Sequence, residues 1–334
     1  GIVAKHTEDE LAAILMAIGA NHAGVRGMTS TSGGGFSLMV ESLGLAGMTE
    51  TPLVAVDVQR VGPSTGMPTR SEQGDLLFVL RASHGEFPRF VLAPGTPEEA
   101  FETGWRAFNL AEKYQCPVIV LSDTFLANSL RTIERREFGF EEVVIDRGDL
   151  LTTESLDEMT EDYKRYAITD TGISPRALPG HPNAIFMASS DEHREDGHFA
   201  DEDPVNRVRM ADKRLRKMDA MKTEMRAPTQ YGAEKADITF VCWGSSYGPV
   251  KGAVDRLNRE GHPANLLHFT DIWPFPAEKA RPLLEIAQRL IDVESNATGQ
   301  LATLLKAYAD TDVDEYILRY DGQPLSPDYI LERV

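Results

Sequence analysis

Residues 57–70, Asp57-Val58-Gln59-Arg60-Val61-Gly62-Pro63-Ser64-Thr65-Gly66-Met67-Pro68-Thr69-Arg70, gather more potential chemistry than any other stretch of the chain. An apolar run from Pro52 to Val58 reads as a buried strand that ends here. Pro63 and Pro68 lack backbone donors, and Gly62 and Gly66 accept positive φ, so the continuation is a fixed loop at a strand's C-terminal end. The loop offers Arg60 and Arg70, the hydroxyls of Ser64, Thr65 and Thr69, and several backbone N–H groups expected to be free. That donor set suits a small ligand with a planar carboxylate: arginine supplies a fork, and hydroxyls and amides complete the shell.

A second polar turn, Thr31-Ser32-Gly33-Gly34-Gly35, stands between a short strand and a helix, where backbone N–H groups can meet an anion or a polar ring. It is not a Walker A loop, because no Gly-Lys-Ser/Thr closes it, and its glycine spacing is not that of a dinucleotide fingerprint. Gly244-Ser245-Ser246-Tyr247 is a third strand-to-helix turn, read either as an anion nest or as a plain connection. His193 and His198 lie among four acids at 191–198, but no helical His-x-x-x-His spacing favours a metal there over a solvated loop.

The elements that position these residues follow from periodicity. Helices are expected at 7–24, with Thr7 and Glu10 at capping-box spacing, and at 36–47, 73–80 and 97–114, the last capped by Thr96. Strands are expected at 25–30, 52–58, 88–93 and 117–122. The alternation implies an α/β fold with a parallel sheet covered on both faces, whose ligands sit at the C-terminal strand ends. Thr31, Arg60, His84 and Asp123 fall near strand ends, so some of them could share one edge. Residues 140–230 read as a charged connector with a helix at 205–225, and a second α/β unit begins near Ala236.

With 334 residues the chain has room for two domains, and its net charge of −18 argues against phosphate-backbone binding. Cys116 and Cys242 form no Cys-x-x-Cys, so no iron–sulfur cluster is expected on this chain. A cytoplasmic setting is the default. The chain opens on Gly1-Ile2-Val3, which reads as the tail of a strand, and a missing βα unit ahead of it is expected.

Several runs carry a resemblance. Glu8-Asp9-Glu10, Thr29-Ser30-Thr31-Ser32-Gly33-Gly34-Gly35-Phe36 and Gln59-Arg60-Val61-Gly62-Pro63-Ser64-Thr65-Gly66-Met67-Pro68-Thr69 resemble the α chain of 2-oxoacid:ferredoxin oxidoreductases. So do Ser83-His84-Gly85-Glu86, Val293-Glu294-Ser295-Asn296 and Tyr320-Asp321-Gly322-Gln323-Pro324. The subgroup acting on 2-oxoglutarate or on a broad range of 2-oxoacids is the nearest. The resemblance implies a thiamine-enzyme pyrimidine-binding domain at 1–139, incomplete at its N-terminus, the connector at 140–230, and a transketolase-C-terminal-like domain at 231–334.

It also implies roles. Glu10, or less readily Glu8, takes the position of the glutamate that touches the aminopyrimidine of thiamine diphosphate. Thr31, Ser32 and Gly33 would lie near that ring. Arg60 would grip the substrate's C1 carboxylate beside Ser64, Thr65 and Thr69, and Arg70 and His84 would serve a distal carboxylate. The implied reaction is CoA-dependent oxidative decarboxylation of a 2-oxoacid, with electrons passing to ferredoxin. The β subunit would bind Mg²⁺ and a [4Fe–4S] cluster, in an (αβ)₂ assembly. A Tyr-Pro-Ile-Thr-Pro segment that the family carries ahead of the glutamate is absent here. The rivals are the β chain of a 2-oxoacid dehydrogenase first component, with lipoyl as acceptor, and a non-catalytic α-like scaffold.

Overall fold

The computed structural model describes residues 1–334, the side chain of Glu142 excepted. The first half runs through α1 (Glu10–His22), β1 (Met28–Thr31), α2 (Gly33–Met48), β2 (Leu53–Gln59), α3 (Leu76–Leu80), β3 (Phe90–Leu92), α4 (Pro97–Tyr114), β4 (Pro117–Asp123) and α5 (Thr124–Ala127). These strands pair in parallel in the order β1-β2-β4-β3. The near-continuous apolar stretches of β2 and β4 are what a sheet buried on both faces requires. Because β2 lies inside the sheet, its C-terminal loop emerges from the middle of an edge. Helix α4 starts as expected, with Thr96 Oγ1 accepting from the Glu99 amide at 3.2 Å.

The connector holds α6 (Thr153–Asp157) and α7 (Pro204–Glu224). The charged face of α7 is not a solvated one: Lys213 and Lys217 are fully buried and both pair with the Glu50 carboxylate. The second half contains β5 (Thr229–Gly232), β6 (Ile238–Trp243), α8 (Tyr247–Arg259), β7 (Ala264–Phe269), β8 (Asp271–Trp273), α9 (Ala277–Leu284), β9 (Leu290–Glu294), α10 (Gln300–Leu304), β10 (Glu315–Leu318) and α11 (Pro327–Leu331). Its sheet runs β10-β9-β6-β7-β5, parallel except for the antiparallel edge strand β5.

Local patterning missed three features. β5, Thr229-Gln230-Tyr231-Gly232, is too polar to announce a strand. β10 and α11 close the far edge of the second sheet. β8 leaves the second unit altogether and adds antiparallel to β3 of the first sheet. The two halves therefore share a core. One apolar cluster runs from Ile14, Phe36 and Leu76 through Trp243 and Phe269 to Leu301. The outer faces are covered by α4 and α7 on the first sheet and by α8 and α11 on the second. Among the described residues no helix is long and apolar enough to cross a membrane.

Candidate active site at the open edge of the first sheet

Helix α1 delivers Glu10 to the start of α2. A β-carbon on Gly35 would lie 2.6 Å from Glu10 Oε1 and 2.0 Å from Thr31 Oγ1, so only glycine lets this carboxylate and hydroxyl converge there. The expected capping box is absent. Asp9 caps α1, its Oδ1 accepting from the Ala12 amide at 2.8 Å, while Thr7 Oγ1 donates to the Asp9 carbonyl. Glu10 is thereby released from a structural task that its spacing suggested. Glu8 is exposed and Glu10 half-buried. Ser32 gives α2 no side-chain cap, and the amides of Gly33, Gly34 and Gly35 bond to no acceptor among the described residues. The turn thus keeps its donors for something outside the chain.

Arg60 follows β2 directly. Its Nε is buried and has no hydrogen-bond partner among the described residues. The rest of the loop curls on itself. The Met67 amide donates to the Val61 carbonyl at 3.1 Å, Val61 to Arg70 at 3.3 Å, Arg70 to Met67 at 3.0 Å, and the Gly62 amide to Glu72 Oε2 at 3.1 Å. Four amides expected to be free are therefore used internally. Gly66 is obligatory, because φ is +50° and a β-carbon would sit 2.0 Å from the Val61 carbonyl oxygen. Ser64, Thr65, Thr69 and Arg70 are exposed. The Ser64 carbonyl lies 3.8 Å from the β-position of Gly34, so the loop leans over the start of α2. On its far side the loop meets the second unit, where a β-carbon on Gly322 would be 3.0 Å from Arg70 Cβ.

Two glutamines that sequence reasoning passed over hold this arrangement. Gln59 donates to the Ser122 carbonyl at 3.0 Å and accepts from the Asp75 amide at 3.0 Å, fixing the strand end against β4 and the return of the loop. Gln73 donates to the Trp243 carbonyl and accepts from Ser246 Oγ and the Ser295 amide, stitching the loop's exit to the second unit. All three partners of Gln73 are far away in the chain, so no local signal marks it.

Not every expected residue joins the cluster. Thr31, Arg60 and Asp123 do share the C-terminal edge, since each ends or follows a strand. His84 precedes β3 and so belongs to the opposite edge of this parallel sheet. It is exposed, and its neighbour Ser83 packs on Gly44, about 15 Å down α2 from Gly34. Asp123 is buried and caps α5 through the Leu126 amide, a structural task; burial pushes its carboxyl up. Nor do the two histidines of the connector converge. His193 is buried against Tyr166, with ring centroids 4.1 Å apart, while His198 is exposed beside Asp196.

Comparison with known proteins points to one family. The family described as pyruvate flavodoxin/ferredoxin oxidoreductase, thiamine diP-bdg, matches residues 2–213, and pyruvate:ferredoxin oxidoreductase core domain II matches residues 236–330. The 2-oxoacid:ferredoxin oxidoreductase subunit alpha of Saccharolobus solfataricus is 42% identical over all of this chain, which covers 52% of that relative. The 2-oxoglutarate synthase subunit KorA of Methanothermobacter thermautotrophicus is 32% identical over all of this chain, with 86% of the relative covered. The 2-oxoglutarate:ferredoxin oxidoreductase of Magnetococcus marinus, solved with 2-oxoglutarate, coenzyme A and succinyl-CoA bound, superposes with a TM-score of 0.88 at 36% identity. That match covers 98% of this chain and 56% of the solved one. The chain thus spans about half the length of the Saccharolobus relative and of the solved structure, and most of the Methanothermobacter one.

Proposed function

The chain belongs to the 2-oxoacid:ferredoxin oxidoreductase α-subunit family, and from that premise we propose that it is the α part of an enzyme that oxidatively decarboxylates 2-oxoglutarate with coenzyme A. In this reading a β subunit carries Mg²⁺ and a [4Fe–4S] cluster, ferredoxin accepts the electrons, and the working unit is an (αβ)₂ assembly. A cytoplasmic setting is part of the same proposal.

The residues present fit thiamine diphosphate. Glu10, freed from capping, stands with Thr31 against the first turn of α2, whose amides have no partners of their own. Glu10 and Thr31 would hold the aminopyrimidine, with Ser32 and Gly33 beside it. Thiamine diphosphate, when bound, supplies the carbon nucleophile and the electron sink that decarboxylation of a 2-oxoacid needs. The chain's own part is orientation and proton handling. Glu10 holds or releases a proton at its carboxylate beside a ring nitrogen, as general acid–base catalysis requires. Arg60 offers a fork to the C1 carboxylate, while Ser64, Thr65 and Thr69 sit on the loop that leans over the turn. Arg70 is the remaining cation for a distal carboxylate.

The observation that carries the proposal is the buried, unpartnered Nε of Arg60, on the loop whose Ser64 carbonyl leans over the turn that Glu10 reaches. A buried donor without an acceptor costs free energy unless a ligand satisfies it. The test is to produce the chain with its β partner and measure 2-oxoglutarate-dependent reduction of ferredoxin. The expected result is turnover that needs both coenzyme A and thiamine diphosphate. Acyl transfer to lipoyl, with no ferredoxin reduction, would instead support the dehydrogenase rival. An assembly that binds no thiamine diphosphate would support the scaffold.

A further inference from the structure

Beneath the glycine turn lies an acid pair that the reaction as described leaves unused. Asp57 is fully buried in β2, in register with Thr31 on β1 and Leu121 on β4. Neither of its carboxyl oxygens meets a nitrogen or hydroxyl donor among the described residues. Its neighbour is Asp75, whose amide donates to Gln59 Oε1, two residues along the same strand from Asp57, and whose carboxyl disfavours ionisation of Asp57. Two buried carboxyls side by side cannot both ionise cheaply, so they hold one proton between them. Burial, before any neighbouring charge, pushes Asp75 up to about 6 and Asp57 well above the usual carboxylate range.

Asp75 also touches α2. A β-carbon on Gly33 would lie 2.3 Å from its Oδ2, so the turn that meets Glu10 at Gly35 meets the acid pair at Gly33. The charged groups around the pair are few. Glu72, on the segment entering Asp75, repels it. Arg60 lies three residues beyond Asp57 on β2, Asp123 ends the neighbouring β4, and Glu10 stands across the turn on α1. β1, the first turn of α2, α3 and α10 bring no charged side chain.

A second buried pair provides the contrast. Asp292 lies two residues from Glu294 on β9 in the second sheet, but there Glu294 accepts from Trp243 Nε1 and Asn296 Nδ2 at 2.7 Å each and from the Leu301 amide at 2.7 Å. That charge is fully absorbed by the fold. The charge on the Asp57–Asp75 pair has no such donors; what it faces is the start of α2, where the helix dipole favours a single negative charge.

We propose that Asp57 and Asp75 are positioning residues for the thiamine-assisted reaction: one shared proton keeps a single negative charge under the first turn of α2 and so holds that turn, and Glu10 with it, in the form that binds the cofactor. The proposal rests on the reading of the preceding subsection. Loss of the shared proton would place two carboxylates side by side in a buried site and push the turn away.

The test uses the assembled enzyme with the wild-type chain, Asp57→Ala and Asp57→Asn. Thiamine diphosphate affinity is measured by titration calorimetry across pH, and the infrared band of a protonated carboxyl is recorded in parallel. Asp57→Ala leaves Asp75 unmatched and should weaken cofactor binding roughly ten- to a hundredfold. Asp57→Asn supplies a permanent N–H donor to Asp75, so it should recover most of that loss, remove the infrared band, and abolish the fall in affinity that accompanies the band's disappearance at high pH in the wild type. Because Asp57→Asn is isosteric, its band and pH profile keep the test open if Asp57→Ala does not assemble. No protonated carboxyl removable by Asp57→Asn would overturn the proposal, as would an affinity that is the same in all three proteins. Wild-type enzyme that binds no thiamine diphosphate would instead overturn the functional reading on which the proposal stands.

Discussion

The two sheets end in strand-to-helix turns of similar make, Thr31-Ser32-Gly33 after β1 and Gly244-Ser245-Ser246 after β6, yet they treat their polar groups in opposite ways. At the second, Gln73 takes up the Trp243 carbonyl, Ser246 and the Ser295 amide, and Glu294 takes up an indole, a carboxamide and an amide. At the first, the buried Nε of Arg60 has no partner among the described residues. Buried polar groups are ordinarily satisfied. The side chains around the second turn are satisfied within the protein, whereas in the proposed reading the arginine at the first meets a ligand.

This contrast can be broken by substitution, beginning with the largest effect. Glu10→Gln should lower kcat by about 10²–10⁴-fold, the span of general acid–base contributions, with folding intact. Steady-state rates of the assembled enzyme decide it, and a wild-type kcat removes Glu10 from the chemistry. Glu50 provides a fully paired reference outside both edges. Burial opposes its ionisation, yet Lys213 and Lys217 overcome that and hold its carboxyl well below the usual carboxylate range. With the folded value depressed, its stabilisation is present above the ordinary glutamate value of about 4.3 and is lost as the pH falls below it. Glu50→Gln should cost about 3–5 kcal/mol in denaturant melts at neutral pH, a loss that shrinks in acid. A smaller effect is expected at the closed edge. Glu294→Gln turns an NH2 donor toward groups that themselves donate, and should cost about 1–3 kcal/mol of stability while leaving KM for the oxoacid as it was. A raised KM there would erase the distinction between the edges.

Much of this was legible from residue types alone. Gly66, Pro63 and Pro68 announce a rigid loop at the end of an apolar strand, and Gly33-Gly34-Gly35 announces a helix start without side-chain cover. What stayed hidden depends on distance or on orientation. Asp57 looks like one polar residue in an otherwise apolar strand; an acid inside a run buried on both faces was the available signal, but its partner Asp75 is set by the course of the loop. Gln73 acts on residues 170 to 223 positions away, which no periodicity encodes. His84 lies at the opposite edge from Arg60, because proximity to a strand end does not say which end. Thr7 and Glu10 have the spacing of a capping box, yet Asp9 lies closer to the first free amides of α1 and caps it instead. The crossing of β8 into the first sheet, three residues long, is a tertiary decision with no sequence mark of its own.

The most direct test of the account is the KM for 2-oxoglutarate of the assembled enzyme carrying Arg60→Ala, with thiamine diphosphate affinity measured on the same preparation. Removing a half-buried guanidinium from a carboxylate costs about 2–5 kcal/mol, so KM should rise roughly thirtyfold or more while the cofactor binds as in the wild type. An unchanged KM would contradict the account, because the unpaired arginine at the open edge would then be a feature of the loop and not of the substrate site.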